Sequence, residues 1–224
     1  MSGEILHIPV GLDLAAVAVG AVGGAAAATV RAAAERIDVL GVVIVGFVTG
    51  LGGSLLRDVL LGAPPAALRS DRYLLVTVLA AGAGMVFAHL VVRVEIAVLL
   101  LDAVSIGLYL TLGITKAEHA GLPVGSAVLV GLVACSGGGL LRDLLLGDPI
   151  GLIRVGSWYV TAALGAAAIF LLARPWSGSL AATIAAVVVA AGLRILALGR
   201  SWTSPLARPV IPPVLTDRNQ SDSI

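Results

Sequence analysis

A chain of 224 residues that is 59% hydrophobic, with mean hydropathy +1.08 and 12% charged residues, is not a soluble domain, because soluble domains carry about 25% charged residues. Its 14 basic and 13 acidic side chains leave a net charge of +1, which provides no basic field for a nucleic acid. A single cysteine, Cys135, excludes an intrachain disulfide, and the distant His7, His89 and His119 lack ligand spacing, so no metal and no cofactor is expected.

Seven stretches approach the ~20 apolar residues that a bilayer core demands. In chain order they lie near 12–31, 38–61, 72–92, 95–115, 122–146, 156–173 and 179–198. The expected fold class is an all-α polytopic membrane protein with one transmembrane domain over 1–200. Glu4, His7 and Asp13 stand where a cleaved leader would carry Lys and Arg, so the first stretch is expected to be a retained span. Residues 201–224, with Pro205, Pro209, Pro212, Pro213 and a polar end, read as a disordered cytoplasmic tail.

The second and fifth stretches end in one motif. Gly52-Gly53-Ser54-Leu55-Leu56-Arg57-Asp58 returns as Gly137-Gly138-Gly139-Leu140-Leu141-Arg142-Asp143 at an offset of 85 residues, and Pro64 and Pro149 follow in register. The offset also places Arg31 on Lys116, Gly46 on Gly131 and Tyr73 on Trp158. Two three-span repeats follow, about 10–92 and 95–174, with an extra helix at about 179–198. An odd number of spans per repeat predicts opposite orientations in the membrane. Nine Lys and Arg residues on one side against five on the other place the N-terminus outside and the C-terminus in the cytoplasm.

The motif costs stability. A glycine inside a helix costs about 1 kcal/mol relative to alanine, and a charge at bilayer depth costs about 2.5–3.5 kcal/mol. The glycines predict that helices two and five break, at Gly50, Gly52, Gly53 and Ser54 and at Cys135, Ser136, Gly137, Gly138 and Gly139. Breaks there would free the carbonyls of Phe47 to Gly50 and Leu132 to Cys135 to line a wet path. Carbonyl ends suit a small cation and a new helix start suits water or an anion, so the choice of ion stays open. Arg57 and Asp58 point about 100° apart on a helix, as do Arg142 and Asp143, so their main partners are expected from other elements. The alternative is that the arginines snorkel to headgroups. Asp13 and Asp102 open the first span of each repeat, one turn out of register. Lys116, followed by Glu118 and His119, is either an interface residue or a site for an anionic headgroup. Gly20-x-x-x-Gly24 and Gly46-x-x-x-Gly50 suit close helix packing. Ala134-Cys135-Ser136-Gly137 has the small neighbours of an intramembrane serine nucleophile, but that chemistry needs a facing histidine, so no enzyme is expected.

The paired Gly-Gly-(Gly/Ser)-x-x-Arg-Asp motifs, with Asp38-x-x-Gly41 and Leu101-Asp102-Ala103, resemble the prokaryotic trimeric intracellular cation (TRIC) channel family over about 10–198. The chain departs from the pattern at Ser54, the usual third glycine, and Lys116-Ala117-Glu118 keeps only the lysine of the animal members' Lys-Glu-Val. The resemblance implies a homotrimer in the inner membrane of a prokaryote, in contact with lipid. Each protomer would hold its own pore between the second and fifth helices, permeable to potassium or other monovalent cations. It assigns the glycine clusters to the pore lining, Arg57, Asp58, Arg142, Asp143 and Asp102 to pore charge or gate, and Lys116 to lipid or voltage control. Prokaryotic relatives labelled as glycine transporters imply the alternative, a small amino-acid carrier.

Overall fold

The computed structural model describes residues 10–90, 94–153 and 158–200, and these are helical throughout apart from turns and short connections. The expected tail, and Arg93 and Arg154 of the orientation count, lie outside the described residues. The helices are α1 (Val10–Glu35), α2 (Val39–Leu60), the single turn α3 (Ala66–Arg69), α4 (Asp71–Leu90), α5 (Val94–His119), α6 (Val124–Leu146) and α7 (Tyr159–Gly199). Six of them are long and apolar enough to cross a membrane.

The helix ends follow local chemistry. Asp38 caps α2, its carboxylate accepting from the Gly41 amide at 2.7 Å, which gives the Asp38-x-x-Gly41 pattern a physical role. α6 ends on Gly147 in the left-handed region, at φ 65°, which suits a residue without a Cβ.

α7 holds two spans. Gly178, at φ 77° and ψ 167°, interrupts it just after Pro175. Tyr159 and Arg194 would be about 52 Å apart on one straight helix. Instead the Arg194 guanidinium lies 5.2 Å from the centre of the Tyr159 ring, and a Cβ on Gly165 would meet Leu193 at 2.8 Å. The halves fold back on each other, which gives seven spans.

The core is built from small residues. Ala16, Ala21, Ala25, Ala103, Ala134, Ala163, Ala166, Ala182 and Ala186 are buried, whereas Leu75, Leu79, Leu129, Leu172 and Val188 face outward. In lipid this distribution is expected, since helices associate through close packing rather than through apolar burial. α1 packs on α2 and α4 as α5 packs on α6 and α7, and α2 and α6 cross at the centre.

One expectation is corrected here. Neither α2 nor α6 is broken at its glycines; both run as continuous helices through the clusters. The glycines serve approach instead. A Cβ on Gly53 would lie 2.3 Å from the Ala134 carbonyl oxygen, and one on Gly138 would lie 2.2 Å from that of Thr49. Gly52 faces Leu141 at 2.7 Å, and Gly137 faces Leu56 at the same distance. Each pair maps onto the other by the 85-residue offset, and the contacts run in opposite directions along the two helices. Such reciprocity is what a local twofold axis across an antiparallel pair produces. Gly20 packs on the Gly50 backbone and Gly24 on Thr49, so the spaced glycines of α1 and α2 also serve close contact.

Candidate functional site

Two charged clusters lie near opposite ends of the α2–α6 crossing. At one end, the last turn of α2 brings Arg57 and Asp58 against Asp13 in the first turn of α1. Tyr73 in the first turn of α4 and Lys116 in the last turn of α5 complete the group. The acid Asp13 thus sits at a helix N-terminus and both cations at C-termini, as the helix dipoles favour. Arg57 donates through Nη1 to Asp13 at 2.9 Å and through Nε to Asp58 at 2.8 Å. The Tyr73 hydroxyl donates to Asp13 at 2.9 Å, and the Lys116 ammonium lies 3.4 Å from Asp13 and 3.5 Å from Asp58. Two acids and two bases form a balanced quartet whose arginine is 0% exposed.

The opposite end repeats the plan. Arg142 donates through Nη2 to Asp143 at 2.9 Å, and its Nη1 lies 3.5 Å from Asp102. Arg194 of the second half of α7 donates to Asp102 at 3.0 Å. The offset even reaches the backbone. Asp58 accepts from the Ala66 amide at 2.9 Å, and Asp143 from the Gly151 amide at 2.8 Å. Each aspartate therefore ties the end of its helix to the loop that follows.

For Arg142, whose Nε and Nη2 both donate to Asp143, these contacts correct the expectation that adjacent Arg and Asp are not each other's main partner. A guanidinium carries five donors on a long stem, so one edge turns back to the adjacent carboxylate while the other reaches a second helix. Distant partners were expected and are present, in Asp13 and Asp102. Arg57 is buried and does not snorkel. Lys116 pairs with Asp13 and Asp58 with its side chain 25% exposed, so it is bound to the quartet while keeping one face open.

Against the second quartet lies a narrow crevice of about 10 Å³, space for about one water. Val19, Gly20 and Gly23 of α1, Thr49 of α2, Asp102, Ser105 and Tyr109 of α5, and Cys135, Gly138, Gly139 and Arg142 of α6 line it. Of the residues singled out from the sequence, the structure brings Cys135, Gly138, Gly139, Asp102 and Arg142 to this crevice. Gly52, Gly53 and Gly137 form the helix contact beside it, and Gly50 packs on α1. The hydroxyls of Ser54 and Ser136 donate back to Leu51 and Leu132 of their own helices, at 2.9 and 2.8 Å. His89 and His119 are exposed at helix ends, away from Ser136.

Two of the carbonyls expected to be free, those of Gly50 and Cys135, accept from tyrosine side chains. The Tyr109 hydroxyl donates to the Gly50 carbonyl, and the Tyr159 hydroxyl donates to that of Cys135. Gly50 and Cys135 are equivalent under the offset, although the two tyrosines are not. A lone aromatic mid-span, Tyr109, and one beside Trp158 at the start of α7, Tyr159, carry no sequence signal for such a role, and both were missed for that reason. Arg194 was missed because it lies outside the repeats.

A wider chamber of about 250 Å³ opens beside the first quartet, lined by Asp58, Leu61, Ala63, Pro64, Ala66, Arg69, Lys116 and Ala120. Both signs of charge face it.

A family model described as glycine transporter matches the chain twice, over residues 11–89 and 99–175, one copy for each repeat. A UPF0126 membrane protein of Deinococcus radiodurans is 37% identical over 142 residues, covering 62% of this chain and 66% of its own length, just under two thirds. The crystal structure of the TRIC trimeric intracellular cation channel orthologue from Rhodobacter sphaeroides superposes with a TM-score of 0.76 and 30% identity, over 86% of this chain and 98% of that one. A structure described as the basis for conductance through TRIC cation channels gives a TM-score of 0.72 at 30% identity, over 88% of this chain and 98% of that one.

Proposed function

The chain belongs to the family of prokaryotic TRIC channels, a multi-pass membrane family, and on that premise we propose that it is a passive, potassium-permeable cation channel. The pore of each protomer runs through the crevice between α2 and α6, and three protomers assemble as a homotrimer in a prokaryotic inner membrane. The two repeats lie inverted in the bilayer, with the N-terminus outside and the C-terminus in the cytoplasm. The observation that carries this reading is a crevice at the glycine crossing lined by Asp102 and Arg142 of one charge quartet, with the second quartet at the other end of the α2–α6 crossing. Cations entering from either side meet aspartates held in check by bases, and opening requires only that a quartet loosen. Single-channel recording in planar bilayers tests it. Unitary potassium currents without any amino acid support the channel, and their absence from active trimers overturns it.

A second reading has its own observation. The 250 Å³ chamber presents Asp58 with Lys116 and Arg69, a charge pair suited to the ammonium and carboxylate of a small zwitterion. Paired quartets at opposite ends also suit alternating access. Uptake of labelled glycine into proteoliposomes, with no current in its absence, would favour this carrier.

A further inference from the structure

The two quartets are not equal. Asp13 is held by both terminal nitrogens of Arg57, by Tyr73 and by Lys116, and its side chain is 4% exposed. Asp102 has one close donor, Arg194 at 3.0 Å, and a longer approach from Arg142 at 3.5 Å, and its side chain is 12% exposed. Asp102 also lines the crevice, which Asp13 does not. Arg142 gives its Nε and Nη2 to Asp143. What neutralises the carboxylate facing the crevice is therefore Arg194, a residue of the seventh span.

Arg194 is well placed to do this. Its guanidinium lies over the Tyr159 ring at 5.2 Å, and the Tyr159 hydroxyl donates to the Cys135 carbonyl. One side chain thus links α5 and both halves of α7, and through Tyr159 it reaches α6. Among the described residues, Arg194 Nε finds no acceptor, so its grip on the quartet is the Nη1 bond to Asp102.

We propose that Arg194 is the residue that sets cation access to the crevice, by masking the Asp102 carboxylate. With the mask in place the quartet is neutral. Removing it leaves Arg142 to serve both Asp102 and Asp143, and the crevice mouth gains a net negative charge that concentrates cations. This role rests on the channel reading, and it makes the seventh span a working part of the path although it belongs to neither repeat.

The native Cys135 lines the same crevice and reports on access without any need for current. Silver ion, a thiol-reactive monovalent cation, serves as the probe on full-length protein in liposomes, in chloride-free nitrate solution, with Cys135→Ser as the blank. Capture is followed by mass spectrometry. Arg194→Gln should capture silver about tenfold faster than wild type and raise unitary potassium conductance. Arg194→Lys should behave as wild type, and Arg194→Gln with Asp102→Asn should lose the acceleration. A purely structural role for Arg194 would leave the acceleration in place in the double variant, which overturns the proposal. So does an Arg194→Gln rate within about twofold of wild type, or a Cys135 that stays unmodified in both. If Arg194→Gln does not assemble, Asp102→Asn alone decides, because capture must then slow, and an unchanged rate overturns the masking role. A wild type that passes no potassium removes the channel reading, while the silver rates still judge the masking.

Discussion

Replacing Gly138 with alanine tests the α2–α6 crossing at its tightest point. The added Cβ would stand 2.2 Å from the Thr49 carbonyl oxygen, a backbone atom that no rotamer can move aside. The helices must therefore separate by roughly 1 Å, and overpacking of this kind costs about 1–3 kcal/mol. The rigid neighbour places this site at the upper end. The substitution also regains helix propensity, about 1 kcal/mol, so the net loss is about 2 kcal/mol. Gly139→Ala supplies the control, since its Cβ would meet Asp102 at 3.5 Å, an ordinary contact, and the propensity gain should stand alone. Thermal unfolding of the purified assembly in detergent should show Gly138→Ala lowered and Gly139→Ala equal to or above wild type. Gly53→Ala should match Gly138→Ala, because its Cβ meets the equivalent carbonyl at 2.3 Å. A Gly138→Ala protein as stable as Gly139→Ala would refute the claim that these glycines exist for close approach. The larger Gly138→Leu should fail to assemble, because its side chain would be driven into the Thr49 backbone.

Arg57→Met strands Asp13 and Asp58 with Lys116 as their sole charged partner, and breaking a buried pair of this kind costs about 3–5 kcal/mol, so yield of folded protein from membranes should collapse. Arg142→Ala removes a more exposed cation and leaves Arg194 on Asp102; the protein should fold, and recordings should show higher open probability, whereas unchanged currents would place Arg142 outside the path. Gly178→Ala forces a side chain into φ 77° at the turn of α7 and should cost about 1–3 kcal/mol in thermal unfolding, with no effect if the turn relaxes freely. In a Cys135→Ser background, Arg69→Cys and Ile153→Cys, one after each repeat's second span, should react with impermeant thiol reagents from opposite sides of the membrane, Arg69→Cys from outside; labelling from one side would contradict the inverted repeats.

The seven spans were legible because lipid leaves a chain few options, and the apolar runs fall on the six long helices, two of them within α7. The repeat was legible for a different reason. Arg57-Asp58 and Arg142-Asp143 keep their type because each acid caps the following loop and each base reaches across to the first helix of its own repeat. The helix break was misread because glycine signals both a break and a close contact. Sequence shows the missing side chain but not the Thr49 or Ala134 carbonyl that needs the space. Tyr109, Tyr159 and Arg194 were invisible as site residues, since what recruits them is proximity in the folded bundle. The pairing of Arg57 with its neighbour was also hidden, because helical angles describe where Cβ points, not where a long guanidinium ends.

Current through single channels of the purified protein in planar bilayers, with potassium as the sole small cation and no amino acid present, tests the central claim most directly. The account predicts unitary steps that reverse near the potassium equilibrium potential and whose size changes in Arg194→Gln. Silent bilayers from protein that accumulates glycine in liposomes would contradict it and transfer the crevice and its quartets to a carrier.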